Sequence, residues 1–157
     1  MTRYTVTNWD SYLSIPLYVT ALTVAASSCN DNNINVIDLS SLKFLRSVVI
    51  GNSCFQYVRI FSIVGLNWVE SVSIGEYSFG STGSLLVGSK FKIVNCPQLK
   101  SLSIGGRSFG RYNGFELSQL PQLNYVTIRS DRYGNGYGFR YARNAVFRGM
   151  NNGRDGL

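Results

Sequence analysis

Apolar side chains recur along this chain with a spacing that is neither helical nor a simple strand alternation. Within one copy of the pattern, successive apolar positions are two, then three, three and three, then two residues apart. One copy begins with Phe91 and Ile93 and ends with Leu102 and Ile104. The two-residue steps predict short strands, and the three-residue steps between them predict a turn or 3₁₀-like stretch. No segment has the periodicity of a long helix.

The same cassette recurs about every 24 residues. The intervals from Ile37 to Phe61, from Phe91 to Phe115 and from Phe115 to Phe139 are each 24 residues, whereas Phe61 to Phe91 is 30. Self-similarity at a fixed period is typical of solenoids, in which each repeat forms one coil stacked on the next. The sequence therefore predicts an all-β-rich repeat solenoid of five to six coils, with a six-residue insertion in one loop.

The predicted domain organisation follows from this phase. Residues 1–12 are expected to form an N-terminal cap, residues 13–150 the solenoid, and residues 151–157 a tail. The coils are expected to start near residues 13, 37, 61, 91, 115 and 139. The first and last of these copies match the pattern less well, as expected of end coils, which have a neighbour on one side only.

The apolar stretch at residues 12–26 allows two interpretations. Arg3, the apolar run and the small pair Ala25 and Ala26 together resemble a secretory signal. Pro16 interrupts the run, and the run agrees with the repeat phase at six positions, so a first structural coil is favoured instead. The interior positions predicted for this coil are Leu13, Ile15, Tyr18, Ala21, Val24 and Ala26. The run is shorter than the roughly 20 residues that a membrane-spanning helix needs, so we expect no membrane span.

Residues at the same place in each copy should stack in the interior. One stack is expected from Phe55, Phe79, Phe109 and Tyr133, and another from Ile50, Ile74, Ile104 and Ile128. The glycines that follow the isoleucines, Gly51, Gly75 and Gly105, are expected to take a corner conformation that a Cβ disfavours. Stacking also predicts a column of alternating charge formed by Lys92, Glu116 and Arg140.

A box within each copy carries a family resemblance. An Ile, a Gly, two variable residues, a small residue and a Phe follow one another at residues 50–55, 74–79 and 104–109. This box, before a short Phe-x-Ile strand, resembles the BspA-like leucine-rich repeats over about residues 37–133. Here Ser or Cys replaces that family's Ala, the repeat is one residue longer, and the usual Cys after the Phe is missing. The resemblance implies right-handed leucine-rich-repeat coils used in adhesion or protein recognition, often at cell surfaces, and it implies no catalytic residue.

Composition narrows the chemistry that this chain can carry. Of 157 residues, 45% are hydrophobic and 15% are charged, which suits a packed core rather than a disordered chain. Histidine is absent, which excludes a Ser-His-Asp triad, a Cys-His dyad and a histidine-ligated metal. The eight carboxylates form no sequence motif. We therefore expect no enzyme activity, no catalytic residue, no cofactor and no metal ion.

The three cysteines bear on the compartment. Cys96 falls at a Leu position of the repeat and Cys54 at the Ser position beside the Phe, and three cysteines cannot all pair with one another. Small buried thiols in a reduced protein slightly favour an intracellular location. The family resemblance implies a cell surface instead, so localisation stays open.

Two segments are candidates for contact with another protein. The inserted loop carries an apolar triplet, Leu85, Leu86 and Val87, between glycines, which either contacts a partner or folds back over its own coil. The last copy has lost its leucine positions, so its large apolar residues are candidates for burial against another chain: Tyr137, Phe139, Tyr141 and Phe147. The leading expectation is non-catalytic protein–protein recognition, adhesion or assembly, which includes self-association.

The basic C-terminal segment supports a second functional class. With six arginines against two aspartates, the segment from Arg129 onward carries +4 of the chain's net charge of +7. Arginine contacts to phosphate and tyrosine stacking on bases would suit nucleic acid or another polyanion. The candidate residues are Arg129, Arg132, Arg140, Arg143 and Arg148. The structural alternative is a decaying last coil whose arginines discourage strand addition.

Overall fold

The computed structural model describes residues 1–80, 83–130, 134 and 144–150. Within these residues, eleven short strands form two parallel sheets with a regular repeating stride, a β-solenoid-like arrangement. The first sheet contains, in order, β1 (Arg3–Val6), β2 (Ala21–Val24), β4 (Ser47–Ile50), β6 (Ser71–Ile74), β8 (Ser101–Ile104) and β10 (Tyr125–Ile128). The second sheet contains, in order, β3 (Val36–Asp38), β5 (Ile60–Val64), β7 (Leu86–Val94), β9 (Tyr112–Leu120) and β11 (Asn144–Met150).

Each coil visits both sheets. From a strand of the second sheet, the chain passes through a turn of about six residues, such as 65–70, into a strand of the first sheet. It then passes through a corner, such as 75–79, and returns to the second sheet. Below, "turn" means the connection before a first-sheet strand, and "corner" means the connection after it.

The strand register in the central coils confirms the predicted columns. Ile50 pairs with Ile74, and Ile74 with Ile104, in the first sheet. Phe61 pairs with Phe91, and Phe91 with Phe115, in the second. Because parallel strands in register place equivalent side chains on one face, these columns form the wall of a continuous apolar core.

The predicted phenylalanine stack is present in the described coils. The ring centroids of Phe55 and Phe79 are 5.1 Å apart, and those of Phe79 and Phe109 are 4.5 Å apart and stacked. Ile50, Ile74 and Ile104 are buried as expected, whereas Ile128 is 37% exposed. Ile128 belongs to β10, which is the last strand of the first sheet among the described residues. Tyr133 lies outside the described residues.

The first copy is offset by two residues from the predicted phase. That phase placed Val24 beside Val48, but Leu22 pairs with Val48, and Val24 pairs with Ile50. The 24-residue interval is restored at Val36, which pairs with Ile60, so the connection between β2 and β3 contains two additional residues. The predicted interior positions Leu13 and Tyr18 are consequently 65% and 64% exposed.

The predicted phase of the last copy is wrong by six residues. Ala145, not Phe139, pairs with Phe115, so the interval is 30 residues, as it is between Phe61 and Phe91. Likewise Val146, not Arg140, pairs with Glu116, and the charge column predicted there ends at Glu116. Sequence phase favoured Phe139 because an aromatic residue stood at the expected distance, whereas Ala145 is a weak apolar signal.

The N-terminal segment combines a strand with a short helix. β1 joins the first sheet beside β2, and α1 (Trp9–Leu13) follows it. Asn8 and Ser11 cap this helix reciprocally: the Ser11 amide donates to Asn8 Oδ1 at 2.8 Å, and the Asn8 amide donates to Ser11 Oγ at 3.0 Å. The ring of Tyr12 packs edge-on against Phe55 at 6.3 Å, so the helix contacts the apolar core. No helix in the described part of the chain is long and apolar enough to cross a membrane.

Candidate functional site

The glycines of the corners have a structural role. Gly51, Gly75 and Gly105 do not have the left-handed backbone conformation, so the conformational reason expected for them is wrong. A Cβ on Gly51 would lie 2.7 Å from the amide nitrogen of Ala26, and one on Gly105 would overlap the backbone of Gly75. Glycine is therefore required here because the backbones of neighbouring coils approach too closely for a side chain.

Buried hydroxyls connect successive corners. Ser78 Oγ accepts from the Cys54 amide at 3.1 Å and donates to the Gly51 carbonyl at 3.0 Å. One coil later, Ser108 Oγ accepts from the Ser78 amide at 3.0 Å and donates to the Gly75 carbonyl at 2.5 Å. In the preceding coil the thiol of Cys54 donates to the Ala25 carbonyl at 3.1 Å. These bonds explain why Ser or Cys stands in this column rather than Ala.

The inserted loop lies largely in the second sheet. The Leu86 amide donates to the Arg111 carbonyl at 2.7 Å, and Arg111 Nε donates to the Ser84 carbonyl at 2.8 Å. Buried Ser89 accepts from the Asn113 amide at 2.8 Å. Leu86 is only 7% exposed, whereas Val87 is 76% exposed. The triplet is thus divided between the core and solvent, with Leu85 intermediate, and it does not form a single apolar tip.

Most of the C-terminal candidates lie outside the described residues. This applies to Tyr137, Phe139 and Tyr141 among the apolar candidates, and to Arg132, Arg140 and Arg143 among the basic ones. The backbones of Phe147 and Arg148 pair with Leu117 and Ser118 as part of β11. For these residues the binding roles remain predictions.

Arg129 is described, and it lines an open groove. The groove has a volume of about 500 Å³ and lies beside the carboxyl ends of β6 and β8. Glu76 and Asn52 share it with Arg129, and Asn52 Oδ1 accepts from the Glu76 amide at 2.8 Å. A carboxylate in the same groove repels a polyanion, so the setting of Arg129 gives no particular support to that class of ligand.

A different surface carries exposed aromatic side chains in register. Arg46 donates its amide to the Thr20 carbonyl at 2.7 Å, and Glu70 donates to the Arg46 carbonyl at 2.8 Å, which aligns three successive turns. The residues two positions before Thr20, Arg46 and Glu70 are Tyr18, Phe44 and Trp68. We call these three side chains the aromatic row. They are 64%, 56% and 51% exposed, respectively.

A fully buried residue follows each member of the aromatic row and directs its ring towards solvent. Val19, Leu45 and Val69 each follow a member of the row, and all three are 0% exposed. Because these side chains already fill the core beneath the turns, the rings beside them face outward. The hydrogen bonds between the turns place the members of the row one coil apart, so the row is a strip with one ring per coil.

Charge and polarity define the limits of this strip. Arg46 places its guanidinium carbon 5.8 Å from the centroid of the Trp68 ring, a cation–π geometry. Lys43 is a second exposed cation in these turns, and Leu17, beside Tyr18, is 66% exposed. In the next two coils the equivalent positions are exposed glutamines, Gln98 and Gln122, so the apolar strip is confined to the first three turns.

Sequence reasoning missed the aromatic row. It assigned Tyr18 to the interior of the first coil and treated the positions of Phe44 and Trp68 as variable. The signal was nevertheless present, since aromatic residues stand at one variable repeat position in two successive central copies. Periodicity searches select positions that repeat, and a binding surface on a solenoid falls on positions that do not have to repeat.

The thiols are not arranged for nucleophilic chemistry. Burial raises the pKa of Cys29 to about 11, and it also raises the pKa of Cys54 and of Cys96. All three are free and buried, and they are protonated at neutral pH. Within the described residues, no group of three or more Cys, Asp or Glu side chains could hold a metal ion.

Comparison with known proteins returned no relative. No protein-family profile, no curated protein and no solved structure matches this chain. Function therefore has to be inferred from the surface itself, where the aromatic row is the most distinctive described feature.

Proposed function

We propose that this chain is a non-catalytic, right-handed leucine-rich-repeat-like solenoid that recognises another protein through the aromatic row. The observation that carries the proposal is the exposure of Tyr18, Phe44 and Trp68 at one repeat position of three successive turns. Contiguous exposed apolar side chains on a folded surface are typical of interaction sites. The Ile-Gly-x-x-Ser-Phe box supports the leucine-rich-repeat assignment, since it forms the corner in each central coil.

The composition of the strip fits protein recognition. Trp, Tyr and Arg are the residues most enriched among those that dominate binding energy at protein interfaces. Trp68 and Arg46 already contact each other, and Tyr18 stands two turns away in the same row. Because each ring follows a fully buried residue of a packed turn, it is partly preorganised, and binding costs less conformational entropy.

The surrounding charges indicate the chemistry of the partner. Lys43 and Arg46 border the row, Glu70 is the opposing charge in these turns, and the whole chain carries a net charge of +7. The complementary surface is therefore apolar at its centre and acidic at its rim. Rim charges of this kind mainly accelerate association and select the partner, whereas the rings supply most of the affinity.

A matched set of variants tests the proposal. The double variant Phe44→Ser with Trp68→Ser removes two rings of the row, and Val87→Ser removes an exposed apolar side chain elsewhere. We expect proteins captured from cell extract by wild type to be retained by Val87→Ser and lost by the double variant. Equal capture by all three proteins would contradict the proposal.

A captured partner, once purified, allows a direct measurement at the site. Trp68 is one of two tryptophans, so a Trp9→Phe background leaves its fluorescence as the only tryptophan signal. Binding at the row should change this emission, and the affinity should depend only moderately on salt. A steep loss of affinity between low and physiological salt would instead indicate a polyanion ligand, because counterion release governs such binding.

A further inference from the structure

The spacing of the aromatic row limits the shape of the chain that can lie along it. Tyr18, Phe44 and Trp68 each stand three residues before the first residue of a first-sheet strand, β2, β4 and β6 respectively. These three strands pair in register with one another. Because paired strands are about 4.8 Å apart, the backbones at the two ends of the row are about 10 Å apart.

An α-helix matches this spacing better than an extended chain does. Residues i, i+4 and i+7 of a helix lie on one face and span about 10 Å, at a rise of about 1.5 Å per residue. Three residues on one face of a β-strand span about 13 Å. Residues on one face of a polyproline II segment are about 9 Å apart, so that segment would leave the middle ring, Phe44, without a counterpart.

The cations beside the row lie at its middle. Lys43 precedes Phe44 and Arg46 follows it by two residues, and both cations are exposed. Arg46 places its guanidinium carbon 5.8 Å from the centroid of the Trp68 ring, so its charge lies over the row. Glu70 is an exposed carboxylate in the third turn. A ligand with carboxylates on both sides of its central apolar residue therefore complements the row.

We infer that the partner presents one amphipathic α-helix to the aromatic row, with the helix axis along the stack of coils. Its apolar side chains at i, i+3 or i+4, and i+7 contact one ring each, and acidic side chains beside the central one pair with Lys43 and Arg46. About two turns of helix reach all three rings. This inference rests on the proposed function, since it names the part of the partner that binds.

The described helix of a second copy does not fit this role. α1 contains only five residues, fewer than the interval from i to i+7 requires. The helix is therefore expected to belong to a different protein. Docking through apolar anchors at this spacing is a recurrent way in which proteins recognise amphipathic helices.

Selection from random peptides of about 12 residues, roughly three helical turns, displayed on phage tests the shape of the ligand. Wild type is the bait, and the double variant Phe44→Ser with Trp68→Ser removes peptides that bind elsewhere. We expect the remaining peptides to share apolar residues at i, i+3 or i+4, and i+7, with Asp or Glu beside the central one. Apolar residues at i and i+2, a proline-rich consensus, or no peptide that depends on the row would overturn the inference.

A selected peptide, once synthesised, separates the helix from its sequence. Proline at a central position that faces away from the row keeps the apolar and acidic residues but breaks the helix, so it should weaken binding by roughly 100-fold. Alanine at the same position is the matched control and should keep the affinity, measured by fluorescence polarisation. Equal affinities of the two peptides would overturn the inference.

Failure of the proposed function has a different signature. In that case the double variant still captures the same proteins from cell extract as wild type does. Capture that depends on the row, combined with the absence of a helical peptide ligand, removes only the inference about the helix.

Discussion

The two connections of each coil follow opposite rules. The corners at residues 51–55, 75–79 and 105–109 repeat the same glycine, small Ser or Cys and phenylalanine, and the last two are buried in all three corners. The turns at residues 41–46, 65–70 and 95–100 keep a buried apolar residue but vary beside it, from Phe44 to Trp68 to Gln98. In this β-solenoid-like fold the corners therefore hold successive coils together, whereas one exposed position of each turn is free to vary.

Truncating one phenylalanine in a corner and one in a turn tests this difference between the connections most directly. Phe109 is fully buried and contacts the rings of Phe79 at 4.5 Å and Phe91 at 4.8 Å. We expect Phe109→Ala to lower the free energy of unfolding by about 3–5 kcal/mol. Phe44→Ala, in a turn, should change it by no more than about 0.5 kcal/mol. Denaturant unfolding measures both, and similar losses at the two sites would refute the division.

The next effect tests whether steric contact explains the corner glycines. Gly105→Ala inserts a Cβ into the backbone of the preceding coil, and overpacking of this kind costs about 1–3 kcal/mol. Ser103→Ala, on the outward side of the adjoining strand, serves as the control and should be close to neutral. If Gly105→Ala is as stable as wild type, the close approach of the two corners is not what selects glycine.

A comparable or smaller effect concerns the buried hydroxyls. Ser78→Ala leaves the Cys54 amide and the Gly51 carbonyl without their partner, and we expect this loss to cost about 1–3 kcal/mol in total. Ser78→Cys should lose less stability, because Cys54 already shows a thiol donating from this column. Equal losses for the two variants would mean that the size of the side chain, rather than its hydrogen bonds, decides the position.

The smallest expected change in stability comes from an ion pair on the second sheet, and it depends on pH. Lys90 Nζ lies 2.8 Å from Glu116 Oε2, and this hydrogen bond holds the Glu116 pKa below its ordinary value of 4.5. A lowered pKa contributes stability above the ordinary value that is lost as pH falls through the folded-state pKa. Lys90→Met should therefore cost at most about 1 kcal/mol at neutral pH, and the difference should disappear in acid. A difference that grows below pH 4.5 would contradict this account.

The sequence predicted the central coils because two constraints coincide there. Positions such as Phe91 and Ile104 must be apolar to fill the core, and neighbours on both sides hold them at a fixed interval. The phase of the end coils was predicted wrongly because each end coil packs against a neighbour on one side only. Fewer of its positions then have to be apolar, and connections of different length fit the sequence pattern equally well. Ala145 in β11 is an example, since alanine hardly differs from its surroundings as an apolar signal.

The candidate site was harder to predict than the fold for a related reason. Exposed turn positions are not under the packing constraint that creates a repeat, so Phe44 and Trp68 had no template to match. The opposite error occurred in the inserted loop, where three consecutive apolar residues suggested one surface. In an extended strand successive side chains alternate between faces, and this places Leu86 inside and Val87 outside.

Because the strands of the first sheet pair uniformly, the length of the molecule is set by its number of coils. β4 pairs with β6, and β6 with β8, residue for residue in the same register, so removing or duplicating one coil would preserve the register of the first sheet. Deleting residues 75–104 would join Ile74 to Gly105 and leave each remaining corner beside a corner of the same kind. Each coil adds about 4.8 Å, so the number of coils fixes how far the aromatic row stands from β10. Adding or removing whole coils would therefore change the distance between the aromatic row and β10 in fixed steps.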